Sequence, residues 1–263
     1  MINNHEIDYQ IHGEEMQYVE VELDPTETAV AESGAFMMMD DGIDMQTIFG
    51  DGSKANQGVL GKLMSAGKRL LTGESLFMTA FTNNAQNKRK VSFASPYPGK
   101  IIALDLLRMG GKMICQKDSF LCAAKGVSIG IEFQRKLGTG LFGGEGFIMQ
   151  KLEGDGMAFV HAGGHVTERE LHHGELLKID TGCIVAFSQM VNYDIQFVGG
   201  IKNSIFGGEG LFFATLRGPG KVWIQTLPIS RLAARILAYG TYKRKEEGSI
   251  LGGLGNLLDG DGR

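Results

Sequence analysis

Short apolar runs broken by glycine, proline and acidic turns recur along the whole chain. YVEVEL (18–23), KIIALDL (100–106), MAFVHA (157–162) and KVWIQTL (221–227) gather β-branched, aromatic and aliphatic residues over strand length. DSFLCAAKGVSIGIEF (118–133) predicts two strands about Lys125 and Gly126, and GELLKIDTGCIVAFS (174–188) two more about Asp180, Thr181 and Gly182. AFMMMDDG puts Met37, Met38 and Met39 on a further strand, expected to be buried because methionine fills irregular core gaps; Trp223 is expected in the core as well. A helical pattern appears in PISRLAARILAYGTYKRK (228–245). There Pro228 and Ser230 supply a start and a cap, Leu232, Ile236, Leu237 and Tyr239 an apolar stripe, and Gly240 a stop. The pattern therefore predicts an all-β protein with one short C-terminal helix.

The runs also repeat. LFGGEGFIMQKLEGDGMAFVH (141–161) is written again as IFGGEGLFFATLRGPGKVWIQ (205–225), with Gly144 and Gly208 64 residues apart. The same offset pairs Phe142 with Phe206, Glu145 with Glu209, Leu152 with Leu216, Gly154 with Gly218 and Gly156 with Gly220, and upstream Ile131 with Ile195 and Phe133 with Phe197. A more divergent copy starts at LLTGESLFMTAF, where Gly73, Glu74 and Ser75 replace Gly144, Glu145 and Gly146. Matching PYPGKIIALDL to GPGKVWIQTL through Pro98/Pro219, Gly99/Gly220 and Lys100/Lys221 leaves TNNAQNKRKVSFAS (82–95) as an insertion. Three units follow, 1–98 with the insertion, 99–162 and 163–228, then a helix and glycine-rich tail over 229–263. Units this small cannot cover their own apolar faces, so they are expected to stack into one compact body.

Composition narrows the function classes. A chain of 263 residues, 43% hydrophobic and 21% charged, has material for a sizeable core. Its net charge of −4 offers no broad basic field, so bulk nucleic-acid binding is not expected. The tracts Lys88-Arg89-Lys90 and Lys243-Arg244-Lys245 have little aromatic interleaving and read as solvated faces. Cys115, Cys122 and Cys183 form no CxxC pair and are expected as buried thiols of a reduced compartment. MINNHEIDYQIHG shows neither the basic nor the apolar region of a secretory signal, which sets the expectation of a cytoplasmic protein.

The run GEGLFFATLRGPGKVWIQTLPISRLAARI, together with GESLFMTAF and PYPGKIIALDL, resembles the altered-inheritance-of-mitochondria (mitochondrial biogenesis) family of bacterial and mitochondrial proteins. The resemblance covers nearly the whole chain. It implies three tandem β-sandwich-like repeats similar to the trp RNA-binding attenuation protein, a homo-oligomeric state, and no catalytic residues to carry over. Mitochondrial members are implicated in inner-membrane organisation; the absence of an import sequence here puts that role in doubt for this chain.

Two groups of residues remain as chemical candidates. In the GGEG turns, Gly143, Gly144 and Glu145, and Gly207, Gly208 and Glu209, positive φ and close backbone approach would let amides meet a phosphate or carboxylate. A phosphate loop, however, runs from GxxxxGK[ST] into a helix, whereas these turns enter apolar strand-like runs and carry a glutamate that repels anions. A structural turn is the favoured reading. HAGGHVTERELHHGE (161–175) brings His161, His165, His172 and His173 near Glu168, Glu170 and Glu175, a set able to hold zinc, iron or manganese in a metal-dependent enzyme. The HxHxxxxE pattern of barrel metal sites is missing, and the third unit has no histidine at 225–237, so a solvated turn is preferred there too. No serine lies in GxSxG.

The tail GSILGGLGNLLDG (248–260) resembles GVLGKLMSAGKRLL (58–71), and its Ile250, Leu251, Leu254, Leu257 and Leu258 follow helix-face spacing. Gly252, Gly253 and Gly255 each cost an isolated helix about 1 kcal/mol, so the tail is either disordered or ordered against a protein partner or membrane surface. The residues together point to a non-catalytic, cofactor-free, oligomeric β scaffold. The alternatives are a ligand-binding or metal-dependent enzyme at 161–175 and anion capture at the GGEG turns.

Overall fold

The computed structural model describes residues 6–49, 77–135, 147–197 and 212–239. Strand β1 (Asp8–His12) precedes three sets of six strands. The first set is β2 (Tyr18–Leu23), β3 (Thr28–Glu32), β4 (Phe36–Met39), β5 (Ile43–Phe49), β6 (Phe77–Asn83) and β7 (Arg89–Ala94). The second is β8 (Gly99–Asp105), β9 (Lys112–Gln116), β10 (Phe120–Ala124), β11 (Ser128–Arg135), β12 (Phe147–Glu153) and β13 (Met157–Gly163). The third is β14 (Val166–Leu171), β15 (Leu176–Asp180), β16 (Ile184–Ser188), β17 (Asn192–Phe197), β18 (Phe212–Arg217) and β19 (Gly220–Gln225). Among the described residues the one α-helix, α1, covers 229–239, and short 3-10 turns follow β9 and β15. The fold is all-β, with this helix following the last strand.

Every set pairs alike. Its fourth and fifth strands form a hairpin and the fifth pairs with the second, as in β11–β12–β9; its sixth pairs with the third and first, as in β10–β13–β8. The third strand carries an irregularity at the same place each time, between Phe36 and Met38, Phe120 and Cys122, and Ile184 and Ala186. Sets are then joined by pairing the third strand of one with the second strand of the set before it. β10 meets β3 through Cys122↔Ala31 and Ala123↔Val30, and β16 meets β9 through Ala186↔Cys115 and Phe187↔Ile114. The resulting sheets run β1-β2-β7-β4, β5-β6-β3-β10-β13-β8, β11-β12-β9-β16-β19-β14 and β15-β18-β17.

Three cores alternate with these four sheets. Val21, Phe93, Phe81 and Phe159 lie between the first and second sheets, Val30, Leu104, Met113 and Trp223 between the second and third, and Ile114, Phe187, Ile195 and Leu216 between the third and fourth. Joint strands bury both faces: Val30 enters one core and its neighbours Ala29 and Ala31 the other. Such strands read as unbroken apolar runs rather than alternating ones.

The segment 82–95, expected as an insertion, is the end of β6, a turn and β7, elements present in every set. The first set's extra length lies at residues 50–76, between β5 and β6, where the other sets have 136–146 and 198–211. Equating Gly99 with Gly220 matched the β7–β8 connection to the β18–β19 turn, because both carry Pro-Gly-Lys into a strand.

Glycine has a specific task where the sets meet. Gly164 N donates to Pro98 O at 3.0 Å, and Leu227 N to Gly163 O at 3.1 Å, so successive connections lie backbone against backbone. A Cβ on Gly99 would overlap the Ala162 carbonyl oxygen, and one on Gly163 the Leu227 carbonyl oxygen. The requirement there is proximity. Among the described residues no helix is long and apolar enough to cross a membrane.

Candidate functional site

Two strands at sheet edges break the pattern of the joints. The third strands of the sets read FMMM, FLCAA and IVAFS, apolar but for Ser188. β10 is buried throughout and β16 nearly so, each against a second strand, whereas β4 ends its sheet and is exposed along its length. Phe36, Met37, Met38 and Met39 are 41, 48, 43 and 39% exposed, which corrects the expectation that these methionines are buried. The reason is the missing neighbour: among the described residues no second strand pairs with β4. At the other end β15 also terminates its sheet, with Leu176 half-exposed and Lys178 exposed, although the equivalent β3 and β9 are largely buried. Among the described residues, β4 and β15 are thus the two complementary halves of a joint that the chain makes twice internally.

The histidines do not form a set. His161 is on β13 and 2% exposed, while His165 precedes β14 and His172 and His173 follow it. A strand of that length keeps its ends about 20 Å apart. Among the described residues no group of three or more His, Cys, Asp or Glu side chains is arranged to hold a metal ion. Glu168 is engaged elsewhere, accepting from Trp223 Nε1 at 3.0 Å and pairing with Lys221 at 2.6 Å. Both GGEG turns, with Gly143, Gly144, Glu145, Gly207, Gly208 and Glu209, lie outside the described residues, as does the tail after Tyr239. On α1, Ile236, Leu237 and Tyr239 of the expected stripe are 63, 71 and 71% exposed.

His161 instead lines a cavity of about 550 Å³, together with Glu32 at the end of β3, Tyr97 in the β7–β8 connection and Asp118 in the turn after β9. The Tyr97 and His161 rings meet edge to face, 4.8 Å between centroids. Position 161 corresponds to Gln225 in the third set, and the comparison explains its state. Gln225 Nε2 donates to Gly182 O, and its Oε1 accepts from Gly163 N, each at 2.8 Å. His161 keeps the equivalent of the first bond, to the Asp118 backbone, but Gly99 N, the equivalent of the second donor, is taken by Glu15 O at 2.7 Å. Nδ1 of His161 is consequently buried without a partner.

Burial dominates the electrostatics of the cavity. It lowers His161 to about 4, against the backbone bond to Asp118, and raises Glu32 to about 7, with Asp118 adding repulsion and Lys117 opposing it. The Tyr97 hydroxyl is raised above its usual range by burial and by both carboxylates. Glu32, Tyr97 and Asp118 belong to no motif. The legible signal was the His161/Gln225 exchange within the repeat.

The family model for mitochondrial biogenesis AIM24 matches residues 9–227. The uncharacterized protein M6_Spy0233 of Streptococcus pyogenes serotype M6 is 31% identical over 225 residues, covering 84% of this chain and 86% of that protein. The crystal structure of protein SPYM3_0169 from Streptococcus pyogenes shares the fold, with a TM-score of 0.70 at 24% identity over 89% of this chain and 99% of that one.

Proposed function

The chain belongs to the mitochondrial biogenesis AIM24 family, and on that premise we propose that it is a non-catalytic β scaffold assembling head to tail, β4 of one copy against β15 of the next. The observation that carries this reading is the contrast in burial: third and second strands are covered wherever they meet, whereas β4, exposed along its length, and β15, exposed at Leu176 and Lys178, have no such partner among the described residues. An exposed apolar edge templates further pairing unless it is covered. Heterologous contacts of this kind build rings or filaments. The internal joints fix the register. Cys122 faces Ala31 and Ala186 faces Cys115, so Met38 is expected opposite Ile179, and Met39 opposite Lys178. The four-stranded and three-stranded outer sheets would then become one. The free, buried thiols of Cys115 and Cys122 suit a reducing, cytoplasmic setting.

The test is a disulfide across the joint, Met39→Cys with Lys178→Cys in a Cys183→Ser background, oxidised and run without reductant alongside native mass measurement. A ladder of covalent multimers requiring both cysteines is expected. A monomeric native mass, no cross-linking, or a cross-link confined to single chains would overturn the proposal.

A further inference from the structure

We propose that Met37, Met38 and Met39 form an oxidation site, and that their sulfoxides open the joint between copies. The inference rests on the assembly reading and supplies its regulation. Thioethers react where a small oxidant reaches them. These three are 48, 43 and 39% exposed on β4, whereas Met78, Met113 and Met149 are 2, 0 and 0% exposed in the cores. Methionine is also peculiar to this third strand. β10 reads FLCAA and β16 IVAFS, so the joints closed within the chain offer no thioether from that side. Of the three third strands, the one open to solvent is the one built from oxidisable residues.

The co-reactant is hydrogen peroxide. The sulfur lone pair attacks one peroxide oxygen, an S–O bond forms as the O–O bond breaks, and the other oxygen leaves as water; sulfur loses the two electrons that peroxide gains. The product is a polar side chain with an S=O acceptor. Met38 pairs with Ser92 and Met39 with Val91, and successive strand residues face opposite sides of a sheet, so sulfoxides would stand on both faces of β4. In the closed joints the matching residues, Cys122 and Ala123, and Ala186 and Phe187, are at most 1% exposed. On the open edge water serves the new acceptor, whereas in a closed joint it must find a donor or be buried unpaired. Lys178, expected opposite Met39, can serve one sulfoxide. Met38 is expected opposite Ile179, which has no side-chain donor, so its sulfoxide opposes pairing most. Two thiols reverse the step through a sulfoxide reductase, releasing the oxygen as water and leaving a disulfide.

The experiment adds graded hydrogen peroxide to the full chain in a Cys183→Ser background, at a dilution where free chains and multimers coexist. Native mass and the sulfoxide content of each methionine are read together. Oxidation at 37–39 and loss of multimers should rise in step, with the dissociation constant of the joint raised at least about tenfold, and sulfoxide reductases of both epimer specificities with dithiothreitol should restore the multimers. The triple variant Met37→Leu, Met38→Leu, Met39→Leu conserves volume and cannot take up oxygen. It should stay multimeric through the same treatment while Met16, Met45 and Met190, exposed elsewhere, are oxidised. Met38→Gln, an amide in place of the sulfoxide, should weaken assembly without peroxide, and more than Met39→Gln does, which keeps the test valid even where leucine disturbs β4. Three results would overturn this inference and leave the scaffold reading intact: multimers that survive oxidation at 37–39, thioethers there that stay reduced while Met16, Met45 and Met190 are oxidised, or a leucine variant that dissociates as wild type does. A chain that is monomeric before any peroxide is added would overturn both.

Discussion

Replacing His161 with glutamine should change how stability depends on pH, by an amount the structure sets. In the folded chain burial holds the imidazole neutral down to about pH 4, whereas an unfolded histidine takes its proton near 6.5. Below 6.5 the unfolded chain therefore binds a proton that the native chain refuses. The stability contributed by the neutral ring is complete above 6.5 and is lost as pH falls towards 4. Between pH 7.5 and 4.5, at about 1.4 kcal/mol per unit of pH below 6.5, the loss is roughly 2 to 3 kcal/mol. Glu32 runs the other way: its acid form is favoured in the folded state, so its contribution is complete below 4.5 and is lost as pH rises to about 7. The two nearly cancel between 4.5 and 6.5. Glutamine is the right replacement because Gln225 occupies the equivalent place and hydrogen-bonds at both ends. Urea unfolding across pH 4.5–7.5 is the assay. Relative to wild type, His161→Gln should gain roughly 2 to 3 kcal/mol on acidification, and its own stability should fall with rising pH as Glu32 is unmasked. A difference that stays constant over the range would refute the account of a buried, neutral imidazole.

Other perturbations probe the joints. Gly163→Ala should cost at least about 3 kcal/mol in thermal or urea unfolding, because the new methyl group meets the Leu227 carbonyl, a backbone atom that cannot turn aside. Gln225→Ala leaves Gly163 N and Gly182 O without their partners and should cost about 2 to 4 kcal/mol by the same assay. Trp223→Phe removes the bond to Glu168 and some buried volume, for a loss of about 1 to 2 kcal/mol, read from the denaturation midpoint. Met39→Lys sets like charges against each other at the proposed joint and should lower the native mass while moving the melting temperature little, since the site is exposed within one chain.

The repeat was legible because a duplicated strand set preserves spacing even where residues change: the 64-residue offset that pairs Gly144 with Gly208 also carries β10 onto β16 and the turn after β9 onto the turn after β15. The first set escaped correct alignment since turn chemistry is local, and Pro-Gly-Lys announces a strand without saying which one. His161, Glu32, Tyr97 and Asp118 come from different strands and connections, so their meeting depends on sheet stacking, which no linear spacing records. The Met37 to Met39 run is the instructive failure. Its composition is that of a buried strand, and its counterparts Leu121 to Ala123 and Val185 to Phe187 are buried, yet within one chain it faces outward. Composition reports the surroundings a strand is built for, whereas coordinates of a single chain report only the neighbours that chain supplies. Where the two disagree at both β4 and β15, the assembly proposed above would reconcile them, because a second copy would supply each strand with the neighbour its composition suits.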